Sequence, residues 1–184
     1  MVPDQGKRAD ALENRRRLIA AAKEAFASPE HVTLESVAAR AGVGIGTLYR
    51  HFPQREALVQ AVYHDQIAEL RQGADTLLDT QPPGVALRRW MDLFADWATA
   101  KRGMVETLAA MHRSGALDFD ASRHEIEAVL NTLLTAGVHA EVIREDVSAV
   151  DLRSLLAGVL AVTEDADQRQ RLLDLIFDAI TTHV

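Results

Sequence analysis

From Asp10 to Ile180 apolar residues return at steps of three and four, and nowhere do they alternate over the length of a strand. Side chains three and four apart share one face of an α-helix, whereas a half-buried strand needs a period of two. The pattern therefore restricts the chain to an all-α fold. Breaks set the lengths of the segments. A first helix is expected from about Asp10 to Ala27, with Leu12, Ile19, Ala22 and Phe26 on its buried stripe, stopped by Ser28-Pro29-Glu30. Two short helices follow, Leu34 to Ala41 and Ile45 to His51, separated by Gly42-Val43-Gly44 and closed by Pro53, which cannot continue a helix. A long helix starts at Arg55 or Glu56 and ends by Gln81-Pro82-Pro83-Gly84. Further helices are expected near 85–101, 103–114 and 122–140, after Val147 with Ser148 as N-cap, and over 167–182.

Composition narrows the compartment and the chemistry. A hydrophobic fraction of 48% supports a core, and the scarcity of aromatics (5%) beside abundant Ala and Leu favours helix over sheet. There is no cysteine, which excludes disulfides and thiolate metal sites. No run of eighteen apolar residues exists and the start lacks an apolar signal core, so a cytoplasmic protein without a membrane partner is expected. The net charge of −7 is unevenly spread. Residues 1–58 hold nine Lys/Arg against seven Asp/Glu, and the remainder eleven against twenty. Only the first third can approach a polyanion without repulsion.

The most informative stretch is residues 33–52, TLESVAARAGVGIGTLYRHF. Thr33 can cap its first helix and Glu35 suits the positive end of the helix dipole. Leu34, Val37, Ala38 and Ala41 form a buried face, Gly42 can take the left-handed conformation that ends a helix, and Val43 can plug the core beneath the turn. The second helix buries Leu48 and, just beyond it, Phe52. Ile45, Gly46, Thr47, Tyr49, Arg50 and His51 then point outward. A helix this short and polar is unstable alone in water, so its exposed set needs another reason. Gly44 and Gly46 permit close backbone approach, Thr47, Tyr49 and His51 supply phosphate donors, Arg50 can reach a guanine edge and Ile45 a thymine methyl. Singly, each would be an ordinary surface or core-edge residue. Together, at helix-turn-helix spacing, they fit a recognition helix in a major groove.

These residues resemble the TetR family (TetR/AcrR-like) of one-component transcriptional regulators. The resemblance rests on Thr33, Ala38-Ala39-Arg40-Ala41-Gly42-Val43 and Gly46-Thr47-Leu48-Tyr49-Arg50-His51-Phe52, followed by Arg55-Glu56-Ala57-Leu58, and it covers roughly residues 10–65. It implies base-edge or near-base roles for Ile45, Gly46, Thr47 and Arg50, and phosphate contacts for Thr33, Tyr49, His51 and Arg55. Two positions depart from the family's habit: Gly44 stands where Ser or Thr is common, and Arg55 where Lys is usual. The resemblance also implies an N-terminal three-helix DNA-binding domain over residues 1–54, with a basic arm at 1–9, and a helical ligand-binding and dimerisation domain over 55–184. Its function would be repression at a palindromic operator in double-stranded DNA, relieved by a small-molecule inducer that the sequence does not identify. Lys7, Arg8 and the Arg15-Arg16-Arg17 run can add phosphate or minor-groove contacts, or can simply be solvated.

For the inducer, Trp90, Phe94 and Trp97 lie on one side of a helix, Met104, Met111 and His112 on the next, and Leu133 on a third. An aromatic and Met-rich wall suits an apolar pocket, although the same stripe also suits plain core. Leu152, Leu155, Leu156, Val159 and Val162, with Leu172, Leu173, Leu175, Ile176, Phe177 and Ile180, make the last two helices too broadly apolar for a single buried stripe, and a homodimer through them is expected. Two other readings stand beside this one: a regulator governed by a protein partner instead of a ligand, and a helical enzyme whose only candidate polar groups are His112 and Arg113. The seven histidines are scattered without metal-site spacing, and no phosphate loop or nucleophile motif occurs, so no catalytic residue, metal or cofactor is expected.

Overall fold

The computed structural model describes residues 5–27 and 32–182, and every regular element among these is a helix. In order it forms α1 (Gln5–Ala27), α2 (Leu34–Arg40), α3 (Ile45–His51), α4 (Arg55–Thr80), α5 (Pro83–Ala100), a 3₁₀ turn (Lys101–Met104), α6 (Val105–Arg113), α7 (Phe119–His139), α8 (Ala149–Val162) and α9 (Ala166–Ile180). Two compact units result: residues 1–65 with 100–117, and 66–99 with 118–184. The single helix α4 contributes residues to both.

In the first unit, α1, α2 and α3 pack with the start of α4 and with α6 around Leu18, Ile19, Ala22, Phe26, Val37, Leu48, Phe52, Leu58, Val62, Met104, Leu108 and Met111, all buried. Two expectations for α1 need correction. The helix begins at Gln5 instead of near Asp10, so Lys7 and Arg8 are helical and do not form an arm ahead of it, while residues 1–4 lie outside the described residues. Leu12 is 60% exposed, so the buried stripe begins only at Leu18. The stop at Ser28-Pro29-Glu30 also lies outside the described residues. Gly103 meets the end of α1 closely: a Cβ there would come within 2.1 Å of the Phe26 carbonyl oxygen, which only glycine avoids.

The turn between α2 and α3 is held by backbone chemistry that the sequence had outlined. Thr33 caps α2, its hydroxyl oxygen accepting from the Ser36 N–H at 3.1 Å. At the other end Gly42 takes φ of 65°. Its N–H donates to the Ala39 carbonyl, and the Val43 N–H to the Ala38 carbonyl, each at 3.0 Å. This is the paired closure by which a left-handed residue satisfies the last carbonyls of a helix.

In the second unit the later turns of α4 and helices α5, α7, α8 and α9 enclose a core of Leu70, Leu87, Trp90, Met91, Phe94, Ile126, Leu130, Leu133, Leu152, Leu156, Leu173 and Ile180. The Trp90 indole N–H donates to the Leu70 carbonyl at 2.9 Å. Asp118, Ser148 and Asp165 cap α7, α8 and α9. Charge staples the outer helices. Arg88 on α5 reaches Asp92 at 2.7 Å, the Gln170 amide oxygen at 2.8 Å and Asp174 on α9 at 2.5 Å. Burial works against the Arg88 charge, but its hydrogen bonds to Asp92 and Asp174 outweigh that and hold its pKa above the usual value. Arg153 on α8 pairs with Glu127 on α7 at 2.9 Å. An isolated antiparallel bridge, Ile143 with Thr181, ties the turn after α7 to the end of α9.

Gly42→Ala is expected to lower the unfolding free energy by roughly 1–2 kcal/mol, the cost of holding an L-residue in the left-handed region. Denaturant titration of the two proteins under identical conditions checks this.

Candidate nucleic-acid interface

Helix α3 is fastened from one side only. Leu48 and Phe52 are fully buried, whereas Ile45 (39% exposed), Gly46, Tyr49 (45%) and Arg50 face solvent and Thr47 and His51 are half-buried. The structure therefore brings Ile45, Gly46, Thr47, Tyr49, Arg50 and His51 together on a seven-residue helix, with Gly44 as its N-cap. Gly44 offers no side-chain cap; its carbonyl accepts from the Thr47 N–H at 2.8 Å and the Leu48 N–H at 3.2 Å. No neighbour lies within 4 Å of a Cβ built at Gly44 or Gly46. Nothing inside the molecule thus requires glycine at position 46, in a helix where alanine would be more stable.

Thr33 is exposed at the start of α2, with its hydroxyl oxygen engaged as cap acceptor and its hydroxyl proton still available to an outside acceptor. Arg55 is placed differently from the other phosphate candidates. It is half-buried, donates from Nη1 to the Val32 carbonyl at 2.5 Å, and lies over the Phe26 ring at 5.2 Å. Its charge is bound into the domain between α1 and α4.

The arginine run is also largely structural. Arg15 lies over the Phe52 ring at 5.3 Å, Arg17 donates to the Gly42 carbonyl at 3.4 Å, and Arg16 pairs loosely with Glu13 at 3.9 Å. Sequence reasoning did not foresee these roles. A guanidinium that covers an aromatic face looks, in a sequence, the same as one that is solvated.

Residues 18–62 match the family model described as bacterial regulatory proteins, tetR family. Residues 82–182 match the one described as transcriptional regulator SbtR-like, C-terminal domain. The chain belongs to the TetR family of bacterial transcriptional regulators. It is similar to the crystal structure of a TetR transcriptional regulator from Streptomyces coelicolor, at 40% identity over 92% of this chain and 99% of that one, with a TM-score of 0.83. It is also similar to a TetR transcription regulatory protein from Mycobacterium vanbaalenii, at 33% identity over 95% and 99% of the two chains, with a TM-score of 0.76. A TetR family transcriptional regulator from Thermus thermophilus, at 21% identity over 88% and 97% with a TM-score of 0.60, shares the fold. Comparison with curated proteins returned no match. The regulator is thus a DNA-binding protein of a transcriptional, non-enzymatic family. Among the described residues no helix is long and apolar enough to cross a membrane.

The residues expected to line an inducer pocket fall into two sets. Trp90, Phe94 and Leu133 are buried in the second unit, where Trp97 packs half-buried beside them. The Trp90 and Phe94 rings stack at 5.5 Å and Phe94 and Trp97 tilt together at 5.2 Å. Met104 and Met111 belong to the core of the first unit, and His112 is exposed there, its Nδ1 3.4 Å from the Leu117 carbonyl oxygen. An open groove of about 620 Å³ that the sequence did not suggest lies in the second unit, lined by Pro82, Gly84, Val85, Arg88, Arg89, Glu141, Val142, Phe177, Thr181 and Thr182. Its residues come from three separate stretches of chain, with no shared spacing to reveal them.

Two outcomes are expected from this geometry. Gly46→Ala should raise stability by up to about 1 kcal/mol while weakening DNA binding, because the added methyl meets only the DNA side; thermal melts and DNA titration of one preparation check both halves. Arg55→Ala should lower stability by about 1–2 kcal/mol through the lost charged hydrogen bond and ring contact, whereas Arg50→Ala should stay within about 0.5 kcal/mol of the parent.

Proposed function

We propose that the regulator is a homodimeric repressor that leaves a palindromic operator when a small molecule binds its C-terminal helical part. The observation that carries this reading is α3 itself: a seven-residue helix with two apolar anchors and an otherwise open face of glycines, hydroxyls and one exposed arginine. In this reading Ile45, Gly46, Thr47 and Arg50 read or approach base edges. Thr33, Gly44, Tyr49 and His51 position the backbone, and Arg55 adds positive charge beside them. Arg50→Ala then costs about 1–3 kcal/mol of operator affinity and relaxes preference at one base pair. Arg55→Ala weakens all sequences alike, because its guanidinium braces the domain that carries α3. Identical behaviour of the two variants would overturn this separation of reading from positioning.

The dimer reading is supported by apolar surface left uncovered on the last two helices. Leu155 and Val162 (82% exposed) on α8 and Leu175 (63%) on α9 face solvent, with Val159, Leu172 and Ile176 half-buried. Large exposed apolar residues grouped on adjacent helices mark an association surface. A twofold pairing there would offer two recognition helices to one operator. Leu155→Glu combined with Leu175→Glu should yield a folded monomer in sedimentation analysis and strip most of the operator affinity. A dimer that persists would remove α8 and α9 from the interface.

For release, the functional division falls at residue 55, with residues 1–54 gripping DNA and 55–184 holding partner and ligand. The inducer must bind the DNA-free form more tightly than the bound form, since equal affinity shifts nothing. A coupling of about 1–3 kcal/mol is usual. Helix α4, continuous from Arg55 to Thr80, is the element through which the shift travels. The aromatic set Trp90, Phe94 and Trp97 with Leu133 supplies an apolar wall, and Met104, Met111 and His112 are further candidates. The setting is the cytoplasm, where the operator is.

The deciding experiment is a titration of the purified protein against DNA flanking its own gene over a range of salt. Tight, sequence-preferring binding with a steep negative salt slope supports the repressor reading, and indifference to sequence at every salt concentration speaks against it.

A further inference from the structure

We infer that Gln66 is the hydrogen-bonding anchor of the ligand site in the second unit, and that the ligand is a neutral, largely apolar or aromatic molecule carrying one hydrogen-bond donor, a hydroxyl or an N–H. The inference deepens the proposed function and rests on its reading that a small molecule enters among the aromatic residues.

Gln66 is only 4% exposed, and its Oε1 has no hydrogen-bond partner. Leaving a buried amide oxygen without a donor costs about 1–3 kcal/mol, and a leucine of similar volume would avoid that cost. Fully buried polar residues are few here: the others among the described residues are Ser122 and Thr163, and the Thr163 hydroxyl donates to the Val159 carbonyl at 2.7 Å.

Gln66 lies one helical turn from Leu70, whose carbonyl accepts from the Trp90 indole at the head of the aromatic stripe. Helices α4 and α5 are joined by the short Gln81-Pro82 link and so run antiparallel. Gly73 lies against Leu93, where a Cβ would come within 2.8 Å of Leu93 Cδ1, and the Trp90 indole reaches the Leu70 carbonyl. One turn back along α4 from Leu70 is Gln66, and one turn on along α5 from Trp90 is Phe94, stacked on the Trp90 ring. The unsatisfied oxygen therefore belongs to a residue one turn from the contact that ties α4 to the aromatic stripe, in which Trp90 and Phe94 stack at 5.5 Å and Phe94 and Trp97 tilt together at 5.2 Å.

The charge of the ligand follows from what surrounds it. No charged residue is fully buried among the described residues, and the partly buried carboxylates of Asp92 and Glu127 already hold Arg88 and Arg153. A buried ammonium would find no free counter-ion and would cost far more than Gln66 could return. A neutral donor on an apolar body meets both conditions.

The test compares 4-butylphenol with butylbenzene as probes of wild type and Gln66→Leu, without DNA. The emission of Trp90 and Trp97 is the readout, these being the two tryptophans of the chain. Wild type should favour the phenol over the hydrocarbon by about tenfold more than Gln66→Leu does, and the variant should melt at or above the wild-type temperature. The same preference in both proteins, or no binding of either probe to wild type, would overturn the inference. So would a lower melting temperature for Gln66→Leu, which would mean that the amide is satisfied within the fold. Because DNA is absent, a protein that gave the expected result yet never released its operator would refute the repressor reading alone. A repressor with no donor selectivity would refute only the role of Gln66.

Discussion

Burial of Leu48 and Phe52 is the contact on which the working surface depends. A seven-residue helix has too few internal hydrogen bonds to persist in water, so α3 exists because those two side chains, each stabilising by about 1.5–3 kcal/mol when fully buried, fix it to α1 and α2. That anchorage needs the chain to reverse within a few residues after α2, and the left-handed Gly42 with its paired backbone hydrogen bonds makes the reversal. With orientation fixed from below, the outward positions of α3 carry no structural duty. They are free to be glycine, threonine, tyrosine and arginine, a selection that would be poor for a helix required to stabilise itself.

Positive charge in the first unit divides along the same line. Arg15, Arg17 and Arg55 turn inward to the Phe52 ring, the Gly42 carbonyl, and the Phe26 ring with the Val32 carbonyl. They brace the helices that support α3. Arg50 faces outward on α3. A net count over the first third of the chain therefore overstates the charge free to meet a phosphate, and the geometry of individual guanidinium groups decides the matter.

Much of this was legible in the sequence wherever the governing interaction is local. The bounds of α3, the caps at Thr33 and Ser148 and the left-handed Gly42 all follow from residues a few positions apart, and each is observed. Legibility fails where partners are distant. Leu12 has the right spacing for the α1 stripe yet faces solvent, with no helix of the unit covering it. The expected pocket set spans residues of both units, because helical periodicity says which side of a helix is apolar and nothing about which neighbour covers it. Gln66 was readable in principle: it falls on the same stripe of α4 as Val62, Leu70 and Ala74, and a glutamine there signals a polar group held inside.

The end of α9 has a consequence for the mechanics of the second unit. Arg144 N–H donates to the Ile180 carbonyl, Thr182 N–H to the Val142 carbonyl and the Thr182 hydroxyl to the Glu141 carbonyl, while the Arg144 guanidinium spans Asp146 and the Ala179 carbonyl. Four of these hydrogen bonds latch the end of α9 to the turn between α7 and α8, and the Arg144–Asp146 pair braces the turn itself. The end of α9 is thereby fixed to the turn that leads into α8, the helix with which it shares the uncovered leucine and valine surface. A surface so held loses little conformational freedom when something settles on it.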